Sequence, residues 1–245
     1  MKICSATDIG QRQTNEDNFA IEQKERETLL LVCDGMGGHN SGELASKMAC
    51  DSIVKAYHLC NHFESVEAAS LWLAKAIKEA HNRIKRYAYA NEAHAGMGTT
   101  LVCALIYENK LLIANIGDSR CYYINREDIQ LLTTDDTFVN ELVKNGLISK
   151  EQAKTHEKKN ILMKAVGVSD SIEVKVDVLP LQEGYILLCS DGLYNGISER
   201  QMKEILYTKD DLSRKTNAMI MLSNRQGGKD NVTVVVAYIE RGDLQ

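Results

Sequence analysis

The stretch T-L-V-C-A-L-I-Y-E-N-K-L-L-I-A-N-I-G-D-S-R-C-Y-Y-I, residues 100–124, decides the fold. It holds three short apolar runs, 100–107, 110–116 and 120–124, parted only by brief polar punctuation. Runs of this length that are rich in Leu, Ile, Val and Tyr and bounded by Gly, Asp or Asn read as β-strands. Links so short join antiparallel neighbours, because a parallel pair needs a crossover of about a dozen residues or more. The stretch is therefore a meander.

Similar runs lie on both sides, at 2–7, 28–33, 172–178, 185–189 and 232–239. Two long segments between them have helical spacing. Ala45, Met48, Ala49, Ile53, Ala56 and Tyr57 recur at three-and-four intervals within 43–60. Val66, Ala69, Leu73, Ala76, Ile77, Ala80, Ile84 and Tyr87 do so within 66–89, with Ser65 placed to cap the helix start. Two further helices are expected over 198–207 and 211–224. The order does not alternate strand and helix, which argues against a doubly wound parallel sheet. It predicts an α+β fold in which two antiparallel sheets carry helices on the outside. Residues 133–168 are polar and weakly periodic, and read as a helical excursion on the surface of the same domain. The chain, 1–245, is read as one domain.

Composition narrows the function. Apolar residues make up 44 %, enough for a large core at this length. Acidic residues outnumber basic ones by 34 to 29, a net charge of −5 that argues against a nucleic-acid scaffold. No apolar run is long enough to span a bilayer. The first residues lack a signal-peptide core and the last form no lipidation box, so a cytoplasmic protein without membrane attachment is expected. Cys4, Cys33, Cys50, Cys60, Cys103, Cys121 and Cys189 show neither zinc nor redox spacing and read as reduced thiols.

Chemistry is signalled by acids beside apolar strands. Asp34 follows L-L-L-V-C, Asp118 follows L-L-I-A-N-I-G, and Asp191 follows Y-I-L-L-C-S. Asp230 precedes the last strand, and Glu16 and Asp17 lie in a turn between two strands. Asp-Gly after a strand is often only a turn. Acids at five places weaken that explanation, since poorly hydrated carboxylates repel one another unless protonated or neutralised by cations. Oxygen ligands without clustered His or Cys suit Mg²⁺ or Mn²⁺ rather than zinc.

The segments R-x-x-N-E-D, V-C-D-G-M-G-G-H, G-T-T, I-G-D-S-R, S-D-G-L and G-K-D-N-V-T occur in the order and spacing of the metal-dependent protein Ser/Thr phosphatases. The chain resembles this PPM, or type 2C, family from about Thr7 to Ile239, and its compact bacterial branch most closely. The resemblance implies a four-layer αββα sandwich with a dinuclear Mn²⁺ or Mg²⁺ centre at one end. Asp34 would bridge the two metals, Asp191 and Asp230 would complete one, and Glu16 with the Gly35 carbonyl would hold the other. Asp118 with Asp191 matches the ligands of a third metal found in bacterial members. Asp17 would orient metal-bound water from outside the ligand set, and Arg12 stands where the family binds phosphate. Hydrolysis of phosphoserine and phosphothreonine by a metal-bridging water would follow.

Other features follow from the same resemblance. Met36 occupies the position of a His proposed as general acid in eukaryotic relatives and cannot donate a proton. His39 reads as structural, which leaves a metal-bound water to protonate the leaving group. Residues 133–168 match the family's flap, with Asp136 replacing a common His and Glu157 a common Pro, departures expected to alter flap stability or substrate preference. Gly37, Gly38 and Gly42 are read as permitting a tight turn. Thr99 and Thr100 are read as support near the site, and Asn231 as shaping the Asp230 turn. Phosphorylated proteins, and a cognate Ser/Thr kinase, are the expected partners of a monomeric enzyme.

The residues also bear on two rival enzymes and a binding module. A cysteine-dependent phosphatase needs C-x5-R, but His39 stands six positions after Cys33 and Asn195 six after Cys189, and no other cysteine fits. A nuclease lacks its basic stripe. An inactive phosphopeptide-binding domain would show degenerate ligands, and here every expected acid is present.

Overall fold

The computed structural model describes residues 1–37 and 41–244. Its strands and helices follow in chain order: β1 (Lys2–Asp8), β2 (Asp17–Gln23), β3 (Glu27–Met36), α1 (Ser41–Leu59), α2 (Val66–Ala90), β4 (Gly98–Thr99), β5 (Leu101–Tyr107), β6 (Lys110–Ile116), β7 (Arg120–Ile124), β8 (Ile129–Leu131), α3 (Phe138–Lys144), α4 (Lys150–Thr155), β9 (Val176–Pro180), β10 (Gly184–Cys189), α5 (Asp191–Gly196), α6 (Glu199–Leu206), α7 (Leu212–Arg225) and β11 (Val232–Ile239).

The strands form two sheets, ordered β1-β11-β10-β7-β8 and β2-β3-β5-β6-β9, with β4 paired to β3. Every pairing is antiparallel. The meander divides between them: β5 and β6 stay in one sheet, and the G-D-S link carries the chain to β7 in the other.

Alternation along the strands sorts the core into three layers. Leu29, Leu31 and Cys33 of β3 face α1 and α2, packing with Ile53, Tyr57, Leu73 and Ile77. Leu30 and Val32 point the other way and meet Leu188, Val235 and Ala237 of the second sheet. The far face of that sheet, Leu187, Val234 and Val236, packs on Leu193, Met202, Leu206 and Met219 of α5–α7. Strands buried on both faces explain why these runs read as continuously apolar rather than alternating. The result is the expected helix–sheet–sheet–helix stack.

Local signals hold where they have a mechanism. Ser65 caps α2 by accepting from Ala68 N at 3.1 Å, and Ser198 closes a capping box on α6. Three differences stand out. No strand is expected between the runs at 2–7 and 28–33, yet β2 forms there, with Asp17 as its first residue rather than part of a turn. The strand expected over 172–178 is β9, displaced toward Pro180. Residues 191–196 form the short helix α5 directly after β10. All seven cysteines are free. Residues 133–168 hold α3 and α4; a Thr99↔Val166 bridge joins them to the body, and a Thr137↔Leu162 bridge closes the segment on itself. Gly38 and His39 lie outside the described residues.

Candidate metal and active site

β3 delivers Asp34 to one end of the sandwich. Its backbone is pinned on both sides by the G-T-T segment: Asp34 N donates to Thr100 Oγ1 at 3.0 Å, and Thr99 Oγ1 donates to the Asp34 carbonyl at 2.9 Å. Thr99 and Thr100 thus support the site through the backbone of its central acid. Across the ladder, Asp17 of β2 is the register partner of Asp34. Asp191 is the first residue of α5, Asp118 lies in the β6–β7 link, and Asp230 lies two residues before β11.

A hydrogen-bonded lattice draws these distant segments together. Asn231 Oδ1 accepts from Glu16 N at 2.8 Å, while its Nδ2 donates to the carbonyls of Ile9 and Thr14, both at 2.9 Å. One side chain therefore staples the loop bearing Arg12 and Glu16 to the loop bearing Asp230. Ser190 Oγ donates to Asp17 Oδ2 at 2.6 Å and accepts from Thr233 N at 3.0 Å, tying β2 to β10 and β11. Gly35 N donates to the Glu16 carbonyl at 3.1 Å, and Ser46 of α1 donates to the same oxygen. The start of α1 presses so closely here that a Cβ on Gly42 would lie 2.7 Å from Glu16 Oε1 and 2.8 Å from the Gly35 carbonyl carbon.

The electrostatics follow from this crowding. Burial first, then the charges of Asp17, Asp191, Asp118 and Asp230, hold the Asp34 carboxyl well above the usual carboxylate range. Burial, reinforced by Asp118 and Asp230, pushes Asp191 up to about 7. Burial pushes Asp118 to about 6, with Asp135 adding to it. Burial also takes Asp17 to about 6, against the opposing hydrogen bond from Ser190. Glu16 is raised by burial, with Arg12 and the Gly42 N–H pulling the other way. Asp34, Asp118, Asp191 and Asp230 each keep some exposure, so water moderates the repulsion.

The acids gather without closing on one point. Among the described residues, no three His, Cys, Asp or Glu side chains are arranged to hold a metal ion as they stand. Arg12 Nη2 holds Asp230 at 2.7 Å, Ser190 holds Asp17, and Asn195 Nδ2 donates to Asp191 Oδ2 at 3.1 Å. Local partners thus take up the carboxylates that mutual repulsion would otherwise drive apart. Asp17 Oδ1 and Asp191 Oδ1 are buried without any hydrogen-bond partner. Orphaned carboxylate oxygens in an all-oxygen donor set, with Arg12 engaged by Asp230 and Arg120 by Asp135, fit a hard divalent cation.

Comparison with known proteins agrees with this geometry. A sequence model of the family Protein phosphatase 2C matches residues 6–232. The chain belongs to the protein phosphatase 2C family.

In enzyme class it is a protein serine/threonine phosphatase. It is 42 % identical to the serine/threonine phosphatase stp of Listeria innocua over 242 residues, covering 98 % of this chain and 95 % of that protein. The structure of the serine/threonine phosphatase Stp1 from Staphylococcus aureus is 37 % identical with a TM-score of 0.91, covering 98 % of this chain and 95 % of that one. The catalytic domain of the phosphatase PstP, in complex with two manganese ions, is 33 % identical with a TM-score of 0.81 and 97 % of each chain covered. The four-layer arrangement is thus that of the phosphatase 2C fold.

Several residues that build the site carry no local sequence signal. Ser190 follows β10 and Thr233 is the second residue of β11; both fall within the quoted segments S-D-G-L and G-K-D-N-V-T, but nothing in those segments marks their bonding to Asp17 and to each other. Arg120, in I-G-D-S-R, turns inward: its guanidinium grips Asp135 and lies 3.6 Å from the Tyr194 ring centroid. Asp136 accepts from Gly117 N and pairs with Lys164 Nζ at 3.2 Å, so this acid anchors the root of the 133–168 segment. Glu157 is exposed, and nothing in the structure explains its departure from the family's Pro.

Proposed function

We propose that this chain hydrolyses phosphoserine and phosphothreonine in proteins, using Mn²⁺ or Mg²⁺ held by Glu16, Asp34, the Gly35 carbonyl, Asp191 and Asp230. The observation that carries the reading is the set of carboxyls around Asp34, whose charges outnumber those of the arginines Arg12 and Arg120 that lie near them, with Asp17 Oδ1 and Asp191 Oδ1 buried and unpartnered. Asp118 and Asp191 supply oxygen donors for a third ion.

A phosphate monoester dianion repels nucleophiles, and its uncatalysed hydrolysis is among the slowest reactions known. Divalent cations held by these residues would screen that charge and lower the pKa of a water at the site. The chain's own residues do the remaining work. Arg12 is exposed, and its planar fork binds two phosphate oxygens at once. Asp17, fixed by Ser190, accepts a hydrogen bond from the attacking water and orients it in line with the P–O bond. Met36 brings no proton, so water at the site protonates the departing serine or threonine oxygen.

The whole chain acts as one catalytic domain, and residues 133–168 form the flap beside it. No helix among the described residues is long and apolar enough to cross a membrane. A monomer acting in the cytoplasm on the products of a Ser/Thr kinase, with no nucleic-acid partner, fits the net charge of −5 and the free thiols.

The test is turnover of a small aryl phosphate and a phosphothreonine peptide with Mn²⁺, with EDTA, and in Asp34→Ala. Activity on both substrates is expected with Mn²⁺ alone. Turnover that survives EDTA and the substitution would reject the reading.

A further inference from the structure

Arg120 has no part in the chemistry above, yet it is among the most heavily bonded side chains at this end of the molecule. Its Nε and Nη2 reach both carboxylate oxygens of Asp135, at 3.0 and 2.7 Å, and Nη1 donates to Tyr122 Oη at 3.1 Å. The guanidinium face rests on the ring of Tyr194, 3.6 Å from its centroid. Tyr194 stands one turn after Asp191 on α5, and its Oη donates to the Asp118 carbonyl at 3.1 Å. Asp135 lies at the entry to residues 133–168. The next residue, Asp136, exchanges hydrogen bonds with Gly117, N to carbonyl at 2.8 Å and Oδ2 from N at 3.3 Å.

We propose that Arg120 is a positioning residue: through Asp135 on one side and Tyr194 on the other, it locks the root of the 133–168 segment to the two backbone segments that carry Asp118 and Asp191. The segment and this part of the cation site then move as one unit. A guanidinium is suited to the task because one flat group makes a two-pronged ion pair in its plane and a stack on its face, which an ammonium cannot do. Both charges are largely withdrawn from water, with side-chain exposures of 23 % and 10 %, so the pair is geometrically fixed rather than a fluctuating surface contact. Partners that orient metal ligands change metal affinity by about tenfold to a hundredfold when removed, and Arg120 acts one step further out, through Tyr194.

The inference rests on the metal reading above, and the experiment separates the two. Arg120→Lys, Asp135→Asn and their combination are titrated with Mn²⁺ by calorimetry, and amide exchange is followed in EDTA. Arg120→Ala is avoided because it strands a buried carboxylate. Each single change is expected to weaken the weakest class of Mn²⁺ sites about tenfold. The combination is expected to add little more, the signature of one unit. Exchange at the Gly117 and Asp136 amides is expected to quicken in all three. An unchanged Mn²⁺ isotherm, or effects that simply add, would overturn the proposal and leave Arg120 a structural residue. Wild-type protein that binds no Mn²⁺ would overturn the metal reading itself, a failure visible before any variant is made.

Discussion

Asp17 and Asp34 stand opposite each other across the β2–β3 ladder, two carboxylates in register at the end of a buried sheet. Like charges directly opposite destabilise a strand pair. The fold accepts this because Ser190 and Thr100 fix the two residues from different directions, one at a side chain and one at a backbone. The strain belongs to the site rather than to the sheet, and it should show wherever cations are withheld.

Stability in EDTA is expected to fall as pH rises. The folded-state values of Asp17 and Asp118, about 6, and of Asp191, about 7, exceed the unfolded aspartate value of about 3.9. Protonation therefore favours the folded state. The contribution is fully present below the unfolded value and is lost as pH climbs through about 6 to 7. Cations bind the deprotonated form, so Mn²⁺ should reverse the trend. Thermal melts from about pH 5 to about pH 8 with EDTA or Mn²⁺ should diverge, and an EDTA midpoint that climbs with pH would contradict the electrostatic account.

Arg12→Lys separates phosphate recognition from folding. The Arg12–Asp230 pair is exposed, so its loss should leave the melting temperature nearly unchanged. Lysine keeps the charge but loses the fork. A fall in kcat/KM on aryl phosphate of about tenfold to a hundredfold is expected. Equal kinetics in the two proteins would remove Arg12 from the phosphate site.

The meander and both long helices are legible because their apolar spacing is driven by burial, and periodicity survives in the sequence. Elements at the margins are less so. β2, D-N-F-A-I-E-Q, is an edge strand that starts on an acid and alternates weakly. β9 is also an edge strand, which lets it end on Pro180. α5, D-G-L-Y-N-G, is too short to show a helical period and holds two glycines. Acids of the site are visible because they interrupt apolar strands. Asn231 in its stapling role and Ser190 are not, because a hydrogen bond between residues far apart in sequence leaves no pattern in either segment.

Asn231→Ala removes that staple. It leaves the Glu16 N–H and two carbonyls without their partners, a cost of about 1–3 kcal/mol for a buried polar group. The loop from Ile9 to Glu16 should loosen, spoiling both Arg12 and Glu16. Denaturant melts should show the destabilisation, and KM for aryl phosphate should rise together with the Mn²⁺ requirement. A variant with lowered stability but unaltered kinetics would confine Asn231 to shaping its own turn.

Gly42→Ala tests the close approach of α1 to the site. Alanine stabilises a helix interior relative to glycine by about 0.5–1 kcal/mol, and less in the first turn, where Gly42 is the second residue of α1. Here the added methyl meets Glu16 Oε1 at 2.7 Å and the backbone carbon of Gly35 at 2.8 Å. The carboxylate can rotate away, but the backbone of β3 cannot move without shifting Asp34, which Thr99 and Thr100 hold. Overpacking of this kind costs about 1–3 kcal/mol, so the sign of the helix preference should reverse. Displacing Glu16 and the Gly35 carbonyl together should weaken Mn²⁺ binding more than global stability, because both groups lie on the same side of the proposed centre. Calorimetric Mn²⁺ titration set beside a thermal melt measures the two effects separately. A variant more stable than wild type with an intact Mn²⁺ isotherm would show that α1 has room to withdraw and that its contact with Glu16 is incidental.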